Sequence, residues 1–239
     1  MSLTIVLKKE TGGFMFKKGQ KWYTEEEVAK KYEESRFTGG GKILDLKEKD
    51  IVLSLVDPEG KKILDIATGT GRFAEELSKA GGDIVGLDAS KEMLIQNDIK
   101  SIKGDALKLP FKNKSFDVTI SMRFFHLLKE EDIEDFIMEV ERVTKNKFIF
   151  ETLHPLSLRI LYQWALPQGS RLYSNSFLEE KFSNIPNVKE VKSHQRFVVP
   201  YGIYQCLPLN LGENINQIDE HISKKYRWIN STVYWELYF

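Results

Sequence analysis

The residues best suited to chemistry lie in one stretch, Ile63-Leu64-Asp65-Ile66-Ala67-Thr68-Gly69-Thr70-Gly71-Arg72-Phe73. An apolar run empties there into a glycine-rich loop and a helical pattern follows, so backbone can approach a ligand closely beside a helix amino terminus. Asp88 ends the next apolar run, and its two carboxylate oxygens match the vicinal hydroxyls of a ribose. The implied ligand carries a nucleoside. Gly69-x-Gly71-x-x-Ala74 meets only the degenerate form of the dinucleotide fingerprint. Asp65 would repel a pyrophosphate, whereas it suits a cationic aminoacyl group. Together these residues point to S-adenosylmethionine rather than to a nicotinamide dinucleotide.

The elements that must hold these residues are legible as changes of period. A nearly continuous apolar run predicts a strand over about 62–67, and further strands are expected over about 83–88, 99–103, 116–121 and 147–152. Between them, helical spacing predicts helices over 72–80, 90–97 with Ser90 as cap, and 130–143, where Ile133, Phe136, Ile137 and Val140 share a face. The turn before the fifth strand falls on Lys145-Asn146-Lys147, where asparagine tolerates a left-handed conformation. A strand over 191–199, a helix over 214–228 and a strand over 232–239 complete the pattern. Alternating strand and helix argues a doubly wound α/β fold with a mostly parallel, seven-stranded sheet. Upstream, Thr24-Glu25-Glu26-Glu27 reads as a capping box opening a helix that Gly39-Gly40-Gly41 stops, and a second helix spans 46–56. Downstream of Pro155 lies an aromatic-rich segment with Tyr162, Trp164, Tyr173, Phe177 and Phe182. The expected organisation is one domain over 1–239, with a core at about 42–152 and 188–239. A helical cap at about 24–41 and a lid-like insertion at about 155–187 elaborate it.

Composition narrows the function classes. The chain has 239 residues, with 35 Lys plus Arg against 35 Asp plus Glu, so no net positive field draws it to a phosphate backbone. Its apolar runs are far shorter than the roughly 20 residues of a membrane span. Lys8 and Lys9 follow the first apolar stretch, the reverse of a secretory leader. Cys206 is the only cysteine, which excludes an internal disulfide and a multi-cysteine metal site. The expectation is a cytoplasmic protein without a metal.

On its motifs the sequence resembles the class I S-adenosylmethionine-dependent methyltransferases, particularly the small-molecule branch with the quinone-biosynthesis C-methyltransferases (methyltransferase type 11 domain). Asp65-x-Ala67-x-Gly69-x-Gly71, Asp88-Ala89-Ser90-x-x-Met93-Leu94 and Gly104-Asp105-Ala106-x-x-Leu109-Pro110-Phe111 resemble that family's first three motifs. Phe116-Asp117-Val118 with Ser121 resembles its fourth-strand motif, and the likeness covers about residues 25–152. It implies a Rossmann-like methyltransferase fold and S-adenosylmethionine as cofactor, leaving S-adenosylhomocysteine. By the same resemblance Asp65, Ala67, Gly69 and Gly71 surround the methionine moiety, and Asp88 holds the ribose. Ala89 and Met93 flank the adenine, Asp105 accepts its amino group, Ala106 supplies a backbone amide, and Ser121 lines the end of strand four. Ala67 stands where the family usually has glycine, and the expected consequence is tighter packing with binding retained.

Methyl transfer from a sulfonium is a direct displacement, so alignment can supply most of the acceleration and a base is needed only if the acceptor must lose a proton. Candidates for the acceptor side are His126, Glu151 and His154, each more readily read as a packed or strand-end residue. Tyr201 and Tyr204 read as core or lid. Ser121-Met122-Arg123-Phe124 lacks the Asp/Asn-Pro-Pro-aromatic loop of adenine methylation, Cys206 falls too late for cytosine C5 chemistry, and no acidic cluster follows strand four for a magnesium-dependent catechol enzyme. The expected activity is methylation of a small, partly hydrophobic acceptor. The alternatives are a protein or RNA methyltransferase, a non-catalytic S-adenosylmethionine-binding partner protein and, last, an NAD-dependent oxidoreductase.

Overall fold

The computed structural model describes residues 37–155, 171–199 and 201–239. The helix expected from the Thr24 capping box lies outside them, as do Tyr162 and Trp164. The strands are β1 (Lys62–Ile66), β2 (Asp83–Asp88), β3 (Ser101–Lys103), β4 (Phe116–Ser121), β5 (Thr144–Leu153), β6 (Glu190–Arg196) and β7 (Thr232–Tyr238). They form one seven-stranded sheet in the order β3-β2-β1-β4-β5-β7-β6. The first five are mutually parallel, and β7 runs antiparallel between β5 and β6. The chain winds outward from β1 to β3, then returns to β4 on the other side of β1. This reversal opens a crevice at the carboxyl ends of β1 and β4, where ligands of such sheets bind.

The helices are α1 (Gly41–Val56), α2 (Arg72–Lys79), α3 (Lys91–Leu94), α4 (Ile133–Val143), α5 (Asn175–Ser183), α6 (Tyr201–Gln205) and α7 (Leu209–Lys225). Because successive strand residues point to opposite faces, the continuous apolar runs feed two cores. Ile63, Ile149 and Tyr234 meet Leu44, Val52, Phe73 and Leu77 of α1 and α2 on one face. Leu64, Phe148, Phe150 and Trp235 meet Ile137, Val140 and Phe182 of α4 and α5 on the other. The described part of the aromatic segment belongs to this second core. The Phe182 ring lies 5.5 Å from both Phe150 and Trp235, and the Tyr173 hydroxyl donates to the Leu128 carbonyl at 2.9 Å.

Several boundaries differ from expectation, each for a local reason. Lys145-Asn146-Lys147 is strand rather than turn, because the Thr144 hydroxyl donates to the Val140 carbonyl at 2.6 Å and ends α4 directly at the start of β5. The helix expected over 46–56 starts at Gly41, where the Gly40 N–H donates to the Leu207 carbonyl at 2.8 Å. The helix after Ser90 is one turn long, although Ser90 caps it as expected by accepting from the Met93 N–H at 3.1 Å. The helix expected over 214–228 starts at Leu209 and stops at Lys225. Its buried residues are Gly212, Asn216, Asp219 and Ser223, while Leu211 and Ile218 are exposed and Ile215 packs against the first core. There Asp219 accepts the Val198 and Val199 N–H groups at 2.8 Å each, tying α7 to the end of β6.

Candidate functional site

Past Ile66 the chain leaves the sheet through Ala67 (φ 59°), Gly69 (φ 58°) and Gly71 (φ 85°), all left-handed. Glycine adopts that region freely and an L-residue does so at a cost of roughly 1–2 kcal/mol. The consequence of Ala67 is therefore backbone strain. A Cβ at Gly71 would lie 2.7 Å from the Asn97 Cβ, whereas one at Gly69 would meet no atom of the described residues within 4 Å. The loop is thus packed on one side and faces open space at Gly69. It is pinned by the Thr68 N–H to the Leu87 carbonyl (3.0 Å) and by the Asn97 side-chain amide to the Gly69 carbonyl (3.1 Å).

Asp88 joins the end of β2 to this loop. Its Oδ2 accepts the Gly69 N–H at 2.9 Å and its Oδ1 accepts the Ser90 N–H at 2.8 Å. A carboxylate has about four lone-pair sites, so each oxygen keeps capacity for a ligand hydroxyl. Burial raises the Asp88 carboxyl above its ordinary value, against the pull of those amides. Asp65 is 2% exposed and accepts the Thr68 hydroxyl at 2.7 Å. Burial pushes its carboxyl up to about 7, the Thr68 bond opposes this, and the charge of Asp88 adds to it. Arg72, whose charge steadies Asp65, is itself committed to Asp45 and Glu48. Open space at Gly69, acceptor capacity on Asp88 and a buried carboxyl next to a second one fit a ligand with paired hydroxyls and a positive charge. S-adenosylmethionine has both.

The other expected residues fall as follows. The Ser121 hydroxyl donates to the Ile66 carbonyl at 3.0 Å, so it closes the crevice between β4 and β1. Met93 is buried and Ala89 exposed beyond β2. The Gly104 N–H donates to the Asp88 carbonyl at 3.0 Å, which sets Asp105 one residue beyond that bond. Asp105 is exposed and its Oδ1 accepts the Leu107 N–H at 2.9 Å, while Ala106 packs against the second core. Glu151 is buried near the end of β5, and the His154 N–H donates to the Ser231 carbonyl at 3.0 Å. Burial lowers the His154 imidazole below its usual value. His126 lies in a single 3₁₀ turn (Phe125–Leu127) packed against β5, with the Phe125 ring stacked 4.7 Å from Phe150.

A buried ionic cluster escaped the sequence reading. Arg72 reaches Glu48 at 2.8 Å and also Asp45, and Arg123 reaches the other Glu48 oxygen. Burial pushes the Glu48 carboxyl up, but Arg123 and Arg72 outweigh it and hold it down at about 2. The cluster anchors α1 to the glycine loop and to the end of β4. Its only sequence signal is Arg72 itself, directly after the loop. Among the described residues, no group of three or more His, Cys, Asp or Glu is placed to hold a metal ion, and no helix is long and apolar enough to cross a membrane.

Known proteins resemble this chain in sequence and in fold. A methyltransferase domain family matches residues 64–150, from β1 to β5. A demethylmenaquinone methyltransferase of Bacillus licheniformis is 32% identical over 172 residues, covering 61% of this chain and 73% of the relative. Proteins of the same name from Renibacterium salmoninarum and Corynebacterium kroppenstedtii are 44% and 37% identical over 92 and 125 residues, covering 36% and 49% of this chain. The chain spans 38% and 52% of the length of those two. Among solved structures, a SAM-dependent methyltransferase of Thermotoga maritima aligns with TM-score 0.67 at 19% identity, over 91% of this chain and 98% of that one. Magnesium protoporphyrin IX methyltransferase of Synechocystis with bound SAH aligns with TM-score 0.59 at 11% identity, over 83% of each. At these identities the structures establish a shared fold.

Proposed function

The chain belongs to the class I S-adenosylmethionine-dependent methyltransferases, and from that premise we propose that it methylates a small, partly hydrophobic aromatic acceptor of the kind named in its demethylmenaquinone methyltransferase relatives. The observation that carries this reading is the joining of the glycine loop to Asp88 over a buried Asp65 carboxyl. In this reading Asp88 takes the ribose hydroxyls, and Asp65, Ala67, Gly69 and Gly71 surround the methionine moiety. Ala89, Met93, Asp105 and Ala106 border the adenine, and Ser121 holds the floor at β4. When bound, S-adenosylmethionine supplies an electrophilic methyl group on a positively charged sulfur. The chain's own contribution is to hold the cationic aminoacyl group with Asp65, to fix the ribose, and to orient the acceptor at the carboxyl ends of β4 and β5, where Glu151 and His154 stand. Zero net charge and a single cysteine support a small-molecule acceptor, no nucleic acid and a cytoplasmic setting.

The test is incubation of the protein with methyl-labelled S-adenosylmethionine and dithionite-reduced demethylmenaquinone, followed by organic extraction. Label in the extract is the expected result. S-adenosylhomocysteine binding without any label in the extract would contradict this acceptor, and would favour a non-catalytic binding protein.

A further inference from the structure

Beneath α1, at the carboxyl edge of the sheet, lies a tyrosine that the cofactor reading leaves unused. Tyr234 of β7 stands directly across from Glu151 of β5 in the antiparallel register. It is completely buried, yet among the described residues its hydroxyl has no hydrogen-bond partner. Buried hydroxyls nearly always have a partner, so a bare one is a mark of unused binding capacity. Its surroundings are polar, since the charges of Glu48, Glu151, Arg123 and Arg72 all act on it. The two arginines are already engaged by Glu48. The backbone of Arg123 is held in the left-handed region at φ 57°, a strain of the kind that collects at functional sites. Burial, then the carboxylates of Glu48 and Glu151, push the phenol well above its ordinary value, which keeps it an O–H donor at any working pH.

We infer that Tyr234 and Glu151 form a specificity pair for a hydroxyl on the methyl acceptor, the tyrosine donating to the acceptor oxygen and the glutamate accepting that oxygen's own proton. The inference rests on the proposed function, because it places the acceptor beside β5. A carbonyl or ether oxygen at the same point could accept from Tyr234 but would turn a lone pair toward Glu151. A site built to bond a hydroxyl rejects such analogues strongly, because its own buried polar groups are then left unpaired. The pair therefore admits a hydroxyl-bearing aromatic ring and discriminates against its carbonyl and methoxy counterparts. Notably, Tyr234→Phe removes an unpartnered hydroxyl and keeps the ring, so the variant should fold.

Calorimetric titration with 1-naphthol, 1-methoxynaphthalene and 1,4-naphthoquinone, each with and without S-adenosylhomocysteine, tests the pair. The wild-type protein is expected to prefer 1-naphthol at least 10-fold. Tyr234→Phe should keep its melting temperature and its S-adenosylhomocysteine affinity while losing that preference, and Glu151→Gln should reduce it. Failure to bind 1-naphthol, equal binding of all three probes, or an undiminished preference in Tyr234→Phe would overturn the inference. Failure to bind S-adenosylhomocysteine would count against the proposed function instead.

Discussion

Replacing Asp65 by asparagine should stabilise the ligand-free protein at alkaline pH while weakening its hold on S-adenosylhomocysteine. Asp65 is 2% exposed and its carboxyl is raised from 3.8 to about 7, chiefly by burial. That shift amounts to about 4 kcal/mol against the ionised form. The sign follows from proton binding: between about 4 and about 7 the folded state holds a proton that the unfolded state has lost, so wild-type stability falls as pH rises through this window and then levels off. Asparagine keeps the oxygen that accepts the Thr68 hydroxyl and carries no charge. Allowing half of the penalty for relaxation, the variant should gain about 2 kcal/mol at pH 8 and only about 0.8 kcal/mol at pH 5. For a chain of this size that is a rise of roughly 4–8 °C in melting temperature. Differential scanning calorimetry of both ligand-free proteins at the two pH values reads it directly. An equal difference at both pH values, or a less stable variant at pH 8, would refute the reasoning.

Other substitutions probe the remaining parts of the site. Asp88→Ala should weaken S-adenosylhomocysteine binding by about 1–3 kcal/mol, the scale of a lost charged hydrogen bond, read by calorimetric titration. Ala67→Gly relieves roughly 1–2 kcal/mol of left-handed strain against about 0.4–1 kcal/mol of extra unfolded-chain freedom. A small net gain in stability should appear in urea titrations. Glu48→Gln leaves the buried Arg72 and the half-buried Arg123 guanidinium groups undercompensated and should cost about 3–5 kcal/mol at pH 7. Because the Glu48 carboxyl is held down at about 2 from 4.5, its contribution is full above about 4.5. The cost should therefore shrink in denaturant melts as pH falls from there towards about 2.

What the sequence made legible is what local pattern controls. Ile63 to Ile66 and Phe148 to Phe150 are apolar on both sides because both faces of the sheet are covered, and that reads directly as buried parallel strand. The glycine loop and Asp88 are legible because the turn and the ligand constrain them within a short span. Ala67 is legible as a departure, but its left-handed backbone is a property of the turn and not of the letter. The Glu48–Arg72–Arg123 cluster joins positions 24 and 75 residues apart, and no periodicity encodes such a meeting. Tyr234 likewise acquires its neighbours only when β7 inserts antiparallel between β5 and β6. The start of α7 was misread because its buried face is Gly212, Asn216, Asp219 and Ser223, with Leu211 and Ile218 left outside.

The central claim is that the loop from Asp65 to Gly71, joined to Asp88, is a site for a nucleoside carrying a cationic aminoacyl group. Calorimetric titration of the full chain with S-adenosylhomocysteine, with NAD as the control, tests this most directly. Micromolar binding of S-adenosylhomocysteine and none of NAD is the expected result. Preferential binding of NAD, or no binding of S-adenosylhomocysteine, would contradict the account.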